Sequence, residues 1–95
     1  MYKFDGFDYD EGKRKLTLEI RGLDLLNDAP AAMSDPMAIT VLSTKDGEER
    51  YKTIAELKGK LYAVVHTPRN EKCRIITMRR AHKDEEEAYN GHNRT

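Results

Sequence analysis

The sequence predicts an α+β fold: two N-terminal helices against one face of a four-stranded antiparallel sheet, then a short C-terminal helix. Three observations predict it. Residues 61–67 and 73–81 are runs rich in β-branched and aromatic side chains, and they flank Pro68-Arg69-Asn70-Glu71-Lys72. That is the pattern of a β-hairpin with a loop of moderate length. Residues 11–21 place Leu16 and Ile20 one helical turn apart and are followed by Gly22, the usual residue just past a helix end. After Arg80 the strand pattern gives way to an acid-rich helix former.

Taken in order, residues 2–9 alternate aromatic and aspartate side chains and read as a short strand or an extended arm. Asp8 or Asp10 suits the N-cap of the helix over residues 11–21, whose hydroxyl-free carboxylate accepts an orphan amide. Leu23-Asp24-Leu25-Leu26 opens a second helical piece with Asp24 as its cap. Pro30 is comfortable only in a first turn, so that helix restarts near Asp28 or stays short and irregular. Ser34-Asp35-Pro36 stops it. Residues 37–44 form a strand by composition, Asp46-Gly47 signals a hairpin turn, and residues 49–57 form the second strand. Lys58-Gly59-Lys60 turns the chain into the long hairpin. Residues 81–89 form the last helix, with acids at its start to complement the helix dipole, and residues 90–95 are a polar, frayed tail.

Ninety-five residues suit one small domain spanning the whole chain. Its formal net charge is zero, but the charge is unevenly spread. Between residues 58 and 83 eight Lys or Arg stand against one acid, Glu71, leaving +7; the rest of the chain carries −7. A dipolar chain of this kind predicts one basic face for a polyanion. Cys73 is the only cysteine, which excludes an internal disulfide, fits a reducing cytoplasm and suits a small apolar packing role. No apolar run reaches the ~18 residues of a membrane span, and the first residues lack the apolar core of a secretion signal. His66, His82 and His92 have no ligand partners at metal-binding spacing, and neither a glycine-rich phosphate loop nor a nucleophile elbow is present. The sequence therefore calls for no metal or cofactor.

Several segments together resemble one family. They are Phe7-Asp8-Tyr9-Asp10 before a basic helix, Arg21-Gly22-Leu23-Asp24, Asp35-Pro36, Glu48-Glu49-Arg50-Tyr51 and Ile54. They continue with Leu61-Tyr62-Ala63-Val64-Val65-His66-Thr67, Arg74-Ile75-Ile76-Thr77-Met78-Arg79-Arg80-Ala81 and Glu87-Ala88-Tyr89. This combination resembles the BrnT toxins of type II toxin–antitoxin systems over nearly the whole chain. The resemblance implies a RelE-like fold and a cytoplasmic ribonuclease that cuts mRNA and arrests growth. It also implies a BrnA-like antitoxin partner, through whose DNA-binding domain the complex reaches operator DNA. Many members carry Lys-His-Gly where this chain has Ile20-Arg21-Gly22, and residues 27–33 differ from the family's Glu-rich second helix. An alternative reading is a catalytically inactive module of the same fold that pairs with an antitoxin or other DNA-binding partner.

Cleavage of RNA without a metal needs in-line attack by the 2′-hydroxyl, two proton transfers and positive charge beside the phosphorane. Arginine suits the last task, because its planar fork grips two phosphate oxygens and keeps its charge. Arg74, Arg79 and Arg80 are the candidate phosphate-facing set. Simple alternation along a strand puts Arg74 and Arg80 on one side and Arg79 on the other. His66, read at the junction of the third strand and its loop, is the candidate acid or base by residue type, with Glu49 and Tyr89 as weaker ones. Arg69, Lys83, Tyr89 and Arg50 are candidate RNA contacts. Tyr51 or Tyr62 offers a ring on which a base stacks.

Overall fold

Local signals set most element ends in the computed structural model, which describes residues 1–94. Helix α1 covers Glu11–Arg21; the Asp10 carboxylate accepts the Lys13 amide at 2.9 Å at its start. Gly22 closes it at φ 68°, a conformation that penalises any Cβ, and donates its N–H to Leu18 O. Helix α2 is the short piece Asp28–Met33, with Pro30 in its first turn where no intrahelical N–H is needed. Asp24 caps the approach to it by accepting the Leu26 amide at 2.9 Å. Helix α3 covers Lys83–His92.

The sheet has five strands in the order β1-β5-β4-β3-β2, not the four expected. They are β1 (Phe7–Tyr9), β2 (Ile39–Leu42), β3 (Tyr51–Leu57), β4 (Lys60–Arg69) and β5 (Lys72–Arg80). The aromatic–aspartate arm supplies the extra strand and pairs parallel to β5, with Asp8 opposite Arg74. The sheet is therefore mixed, the other three pairings being antiparallel. Turns at Asp46-Gly47, Lys58-Gly59 and Asn70-Glu71 all have positive φ at both central residues, as tight right-twisting hairpins require. The last of these replaces the longer loop expected at residues 68–72, because β4 runs on through Pro68 and Arg69. His66 consequently sits inside a strand and not at its end.

The helices divide between the two faces of the sheet, which corrects the one-sided arrangement. Strand register puts Ala55, Tyr62 and Val64 on the face that packs against Leu23, Leu25, Ala29 and Ala32 of the α2 region. Ile54 and Ala63 point the other way and pack beneath Tyr89 of α3. Helix α1 buries no residue; it lies along β5, where Arg21 donates to Met78 O at 3.0 Å and Thr77 Oγ1 at 3.1 Å. Arg14 holds its other end to Asp24 at 2.9 Å. Of the expected tail, residues up to His92 belong to α3, and Asn93 Nδ2 donates to Met37 O at 3.0 Å; Thr95 lies outside the described residues.

Between Val65 and His66 the β4–β5 register shifts: Val65 faces Thr77 and His66 faces Ile75, so Ile76 is an extra residue in β5. A bulge of this kind reverses side-chain parity along the bulged strand. Ile75 and Met78 therefore both reach the α2-side core. The same shift puts Arg74, opposite Thr67, and Arg79, opposite Ala63, on the α3 face. Arg80, opposite Tyr62, falls on the α2 face. That is the reverse of simple alternation for Arg74.

His66 is fully buried on the α2 side and held at both ring nitrogens. The Tyr2 hydroxyl lies 2.6 Å from Nδ1 and the Thr53 hydroxyl 2.7 Å from Nε2. Tyr2 also donates to Cys73 Sγ at 3.2 Å, tying the N-terminal arm to the sheet. Burial pushes the His66 imidazole down to about 4. The unfolded chain, with an ordinary value of about 6.5, binds a proton that the folded chain refuses. His66 thus contributes stability that is fully present above about pH 6.5 and lost as pH falls toward 4. Urea unfolding should show stability falling by up to about 1.4 kcal/mol per pH unit in that window, with a flatter profile in His66→Gln.

Candidate nucleic-acid interface

Arg80 ends β5 on the α2 face, and its neighbours converge on a groove of about 580 Å³. Arg21 reaches the groove from the end of α1, Lys60 and Tyr62 from the start of β4, and His82 from the N-terminus of α3. Arg79 and Arg80 complete the cationic lining, and among the described residues no Asp or Glu side chain lines it. The Arg80 guanidinium stands 5.6 Å from the centre of the Tyr62 ring and donates from Nε to Leu61 O at 3.3 Å. It is exposed and, among the described residues, has no carboxylate partner. The ring thus orients a charge that is free to meet an anion.

Arg79 is held differently. Its fork donates to both Glu85 oxygens, at 2.7 and 2.9 Å, and also to Arg80 O at 3.2 Å. Glu85 is 4% exposed and accepts from Lys52 Nζ at 2.7 Å and from the His82 amide at 2.7 Å. The Arg79 guanidinium, aided by that amide and Lys52, holds the Glu85 carboxyl well below the usual range. Glu85 in turn raises Arg79. The result is a rigid cation–carboxylate–cation arrangement beneath the rim of the groove.

The other expected site residues are spread over the molecule. Arg74 points to the α3 face and is paired with Asp8 at 2.6 Å, which lowers the Asp8 carboxyl. Arg74 shares a separate cleft of about 720 Å³ with Arg50, Arg69, Glu49 and Lys13. Arg50 is paired there with Glu48 at 3.0 Å, whereas Arg69 is exposed. His66, as described, is enclosed in the core, and its ring nitrogens are both occupied. Tyr51 stacks against it with ring centres 6.0 Å apart. Lys83 is exposed at the first turn of α3. Tyr89 is 9% exposed and donates to Asp35 Oδ2 at 2.7 Å; burial and that carboxylate push its phenol up to about 12. Of the candidate set, Arg50, Arg69 and Arg74 gather with Glu49 in the separate cleft, while Arg79 and Arg80 come together with Tyr62 at the end of β5. Arg21, Lys60 and His82 join them unforeseen; Arg21 occupies the place where the resembling family carries an imidazole, and that substitution was the available signal.

Residues 9–85 match the family model described as the ribonuclease toxin BrnT of type II toxin–antitoxin systems. No protein of curated function matches the sequence. Among the described residues, no helix is long and apolar enough to cross a membrane.

The matched stretch ends on Glu85, whose removal leaves Arg79 and Lys52 without their carboxylate in a half-buried setting. Glu85→Ala should lower stability by about 3 kcal/mol, read from the urea midpoint at pH 7. A change below about 1 kcal/mol would show that the pairings contribute no more than surface ion pairs do.

Proposed function

The chain belongs to the BrnT family of type II toxin–antitoxin ribonuclease toxins, and on that premise we propose that it is an endoribonuclease that cuts mRNA in the groove at the end of β5. The observation that carries this reading is the lining of that groove: Arg21, Lys60, Arg80 and His82 converge there, and among the described residues no Asp or Glu lines it. RNA is a polyanion, and a cavity of one sign focuses the field on it.

The reaction needs no group from outside the RNA as its nucleophile. The 2′-oxygen forms a bond to the adjacent phosphorus while the bond from phosphorus to the 5′-oxygen breaks. The 2′-proton passes to a base, the 5′-oxygen takes up a proton, and the products are a 2′,3′-cyclic phosphate and a 5′-hydroxyl. Arg80 supports this by presenting its fork to the non-bridging oxygens as their charge grows. Arg79, whose fork is taken up by Glu85, ties the end of β5 to the start of α3 and so fixes the strand end that carries Arg80. Arg21 and Lys60 hold flanking phosphates and keep the strand in line, which itself supplies much of the rate. His82 brings to the groove an imidazole, a ring that both donates and accepts hydrogen bonds. The burial of His66 supports a packing role for it and leaves proton transfer to groups in the groove.

The antitoxin implied by the family is a protein partner, read as BrnA-like and as the part that contacts operator DNA. Freed of it, the chain should cut single-stranded RNA and arrest growth on induction. Arg80→Ala should lower kcat about 100-fold, and Arg80→Lys should recover little of it because an ammonium cannot grip two oxygens. Affinity for RNA should fall steeply with salt, with a log–log slope of about −0.7 per phosphate contacted. A chain that binds RNA but neither cuts it nor slows growth would be the inactive binding module instead.

A further inference from the structure

The α3 face is only half covered. Tyr89 packs over the row formed by Ile39, Ile54 and Ala63. The adjacent row, Val41–Lys52–Val65–Thr77, runs across four strands in register; α3 reaches it where Glu85 meets Lys52 Nζ at 2.7 Å, while Val41, Val65 and Thr77 lie outside the cluster beneath Tyr89. Val41 is 45% exposed. Beyond it lies the row of Thr67, Arg74 and Asp8. The two rows stand about 7 Å apart, a strip on which one helix of about 10 Å diameter fits beside α3.

Helix α1 walls this strip on the β5 side. It is amphipathic, yet Leu16 is 54% and Ile20 71% exposed. Both line a small groove with Ile76 and Thr77, and Lys13 and Ile76 are shared between that groove and the larger cleft at the hairpin. The bulge that turns Ile76 out of the sheet ladder therefore adds an apolar side chain to an already apolar wall.

The charges distinguish this surface from the groove at the end of β5. Asp10, Glu48 and Glu49 line the cleft alongside its cations, and Arg50 and Arg74 are already neutralised by Glu48 and Asp8. Mixed signs and aliphatic side chains suit a protein, whereas RNA asks for one sign and for aromatic stacking. Among the described residues Lys13 and Arg69 lack a carboxylate partner, and they ask for acids from outside.

We propose that this strip, between α1 and the open half of the α3 face, is where an amphipathic helix of the antitoxin docks. The helix lays an apolar stripe against Leu16, Ile20, Ile76 and Val65 and sets carboxylates opposite Lys13 and Arg69. The assignment rests on the toxin–antitoxin reading for the identity of the partner, while the site itself is argued from the surface. On this geometry the antitoxin binds away from Arg80, on the opposite face of the sheet.

The test titrates the purified antitoxin encoded beside the toxin gene into the full-length chain. Ile20→Glu and Val41→Glu should each weaken Kd by about tenfold or more, with thermal midpoint and RNA cleavage unchanged. Leu18→Glu, exposed on the opposite side of α1, should bind as the wild type does. If the wild-type complex forms and neither variant weakens it, the docking site is wrong and the ribonuclease reading stands. If the variants lose RNA cleavage while still binding the antitoxin, the strip belongs to RNA and the proposal is overturned. If the wild type cuts no RNA but the two variants still lose the antitoxin, the site is supported and the ribonuclease reading is the one that fails.

Discussion

The extra residue at Ile76 sets what each side chain of β5 does. Without it, strict alternation would place Ile75 and Met78 on opposite faces. With it, both enter the same core, where they are among the largest fully buried side chains. Each contributes about 1.5–3 kcal/mol by leaving water, so the register that the bulge fixes is strongly preferred. The arginines then have no freedom to choose a face. Arg79 and Arg80 part to opposite faces at the strand end, and Arg74 joins Arg79 on the α3 side. Core packing thus decides which cation stands on which face.

Separating two adjacent arginines creates a problem on the α3 side, because Arg79 there lies beside Lys52 under a helix. Glu85 resolves it by sitting between both cations at 2.7 Å. Its backbone neighbourhood adds the His82 amide at the helix start, where a carboxylate is also favoured by the helix dipole. One carboxylate therefore bridges two cations, starts α3 and fixes that helix on the sheet. Arg80 needs no such partner, since its face of the strand end is open and the Tyr62 ring supports it. The free and the locked guanidinium lie one residue apart for that reason.

Much of the fold was legible because its signals are local. The Gly22 cap, the Asp46-Gly47 turn, Pro30 in a first turn and the hairpin strands all depend on neighbours in sequence. The fifth strand was not legible as such, because residues 7–9 become a strand only against the far-off edge of β5. Nor was the phase shift at Ile76, since a bulge leaves no mark in a β-branched run. His66 looked like a chemical group because histidine titrates near neutrality; that property says nothing of burial, and Tyr2, which encloses it, is distant in sequence. The groove at the end of β5 draws one residue or two from each of several elements, so no single motif announces it. Arg79 and Arg80 were visible as a pair, while Arg21 and Lys60 acquire meaning only when α1 and β4 end beside them.

A formal net charge of zero constrains how such a protein finds RNA. Steering over long distances needs a net field, and at physiological salt exposed charges are screened beyond about 8 Å. The attraction must therefore come from a concentrated patch near contact. The chain achieves that by pairing: Arg14, Arg50, Arg74 and Arg79 each meet a carboxylate, which removes them from the field a distant polyanion senses. Arg80 and Lys60 have no such partner among the described residues, and both line the groove at the end of β5. The two concave surfaces differ in the signs they present: Asp10, Glu48 and Glu49 line the cleft at the hairpin, whereas among the described residues no Asp or Glu lines the groove at the end of β5.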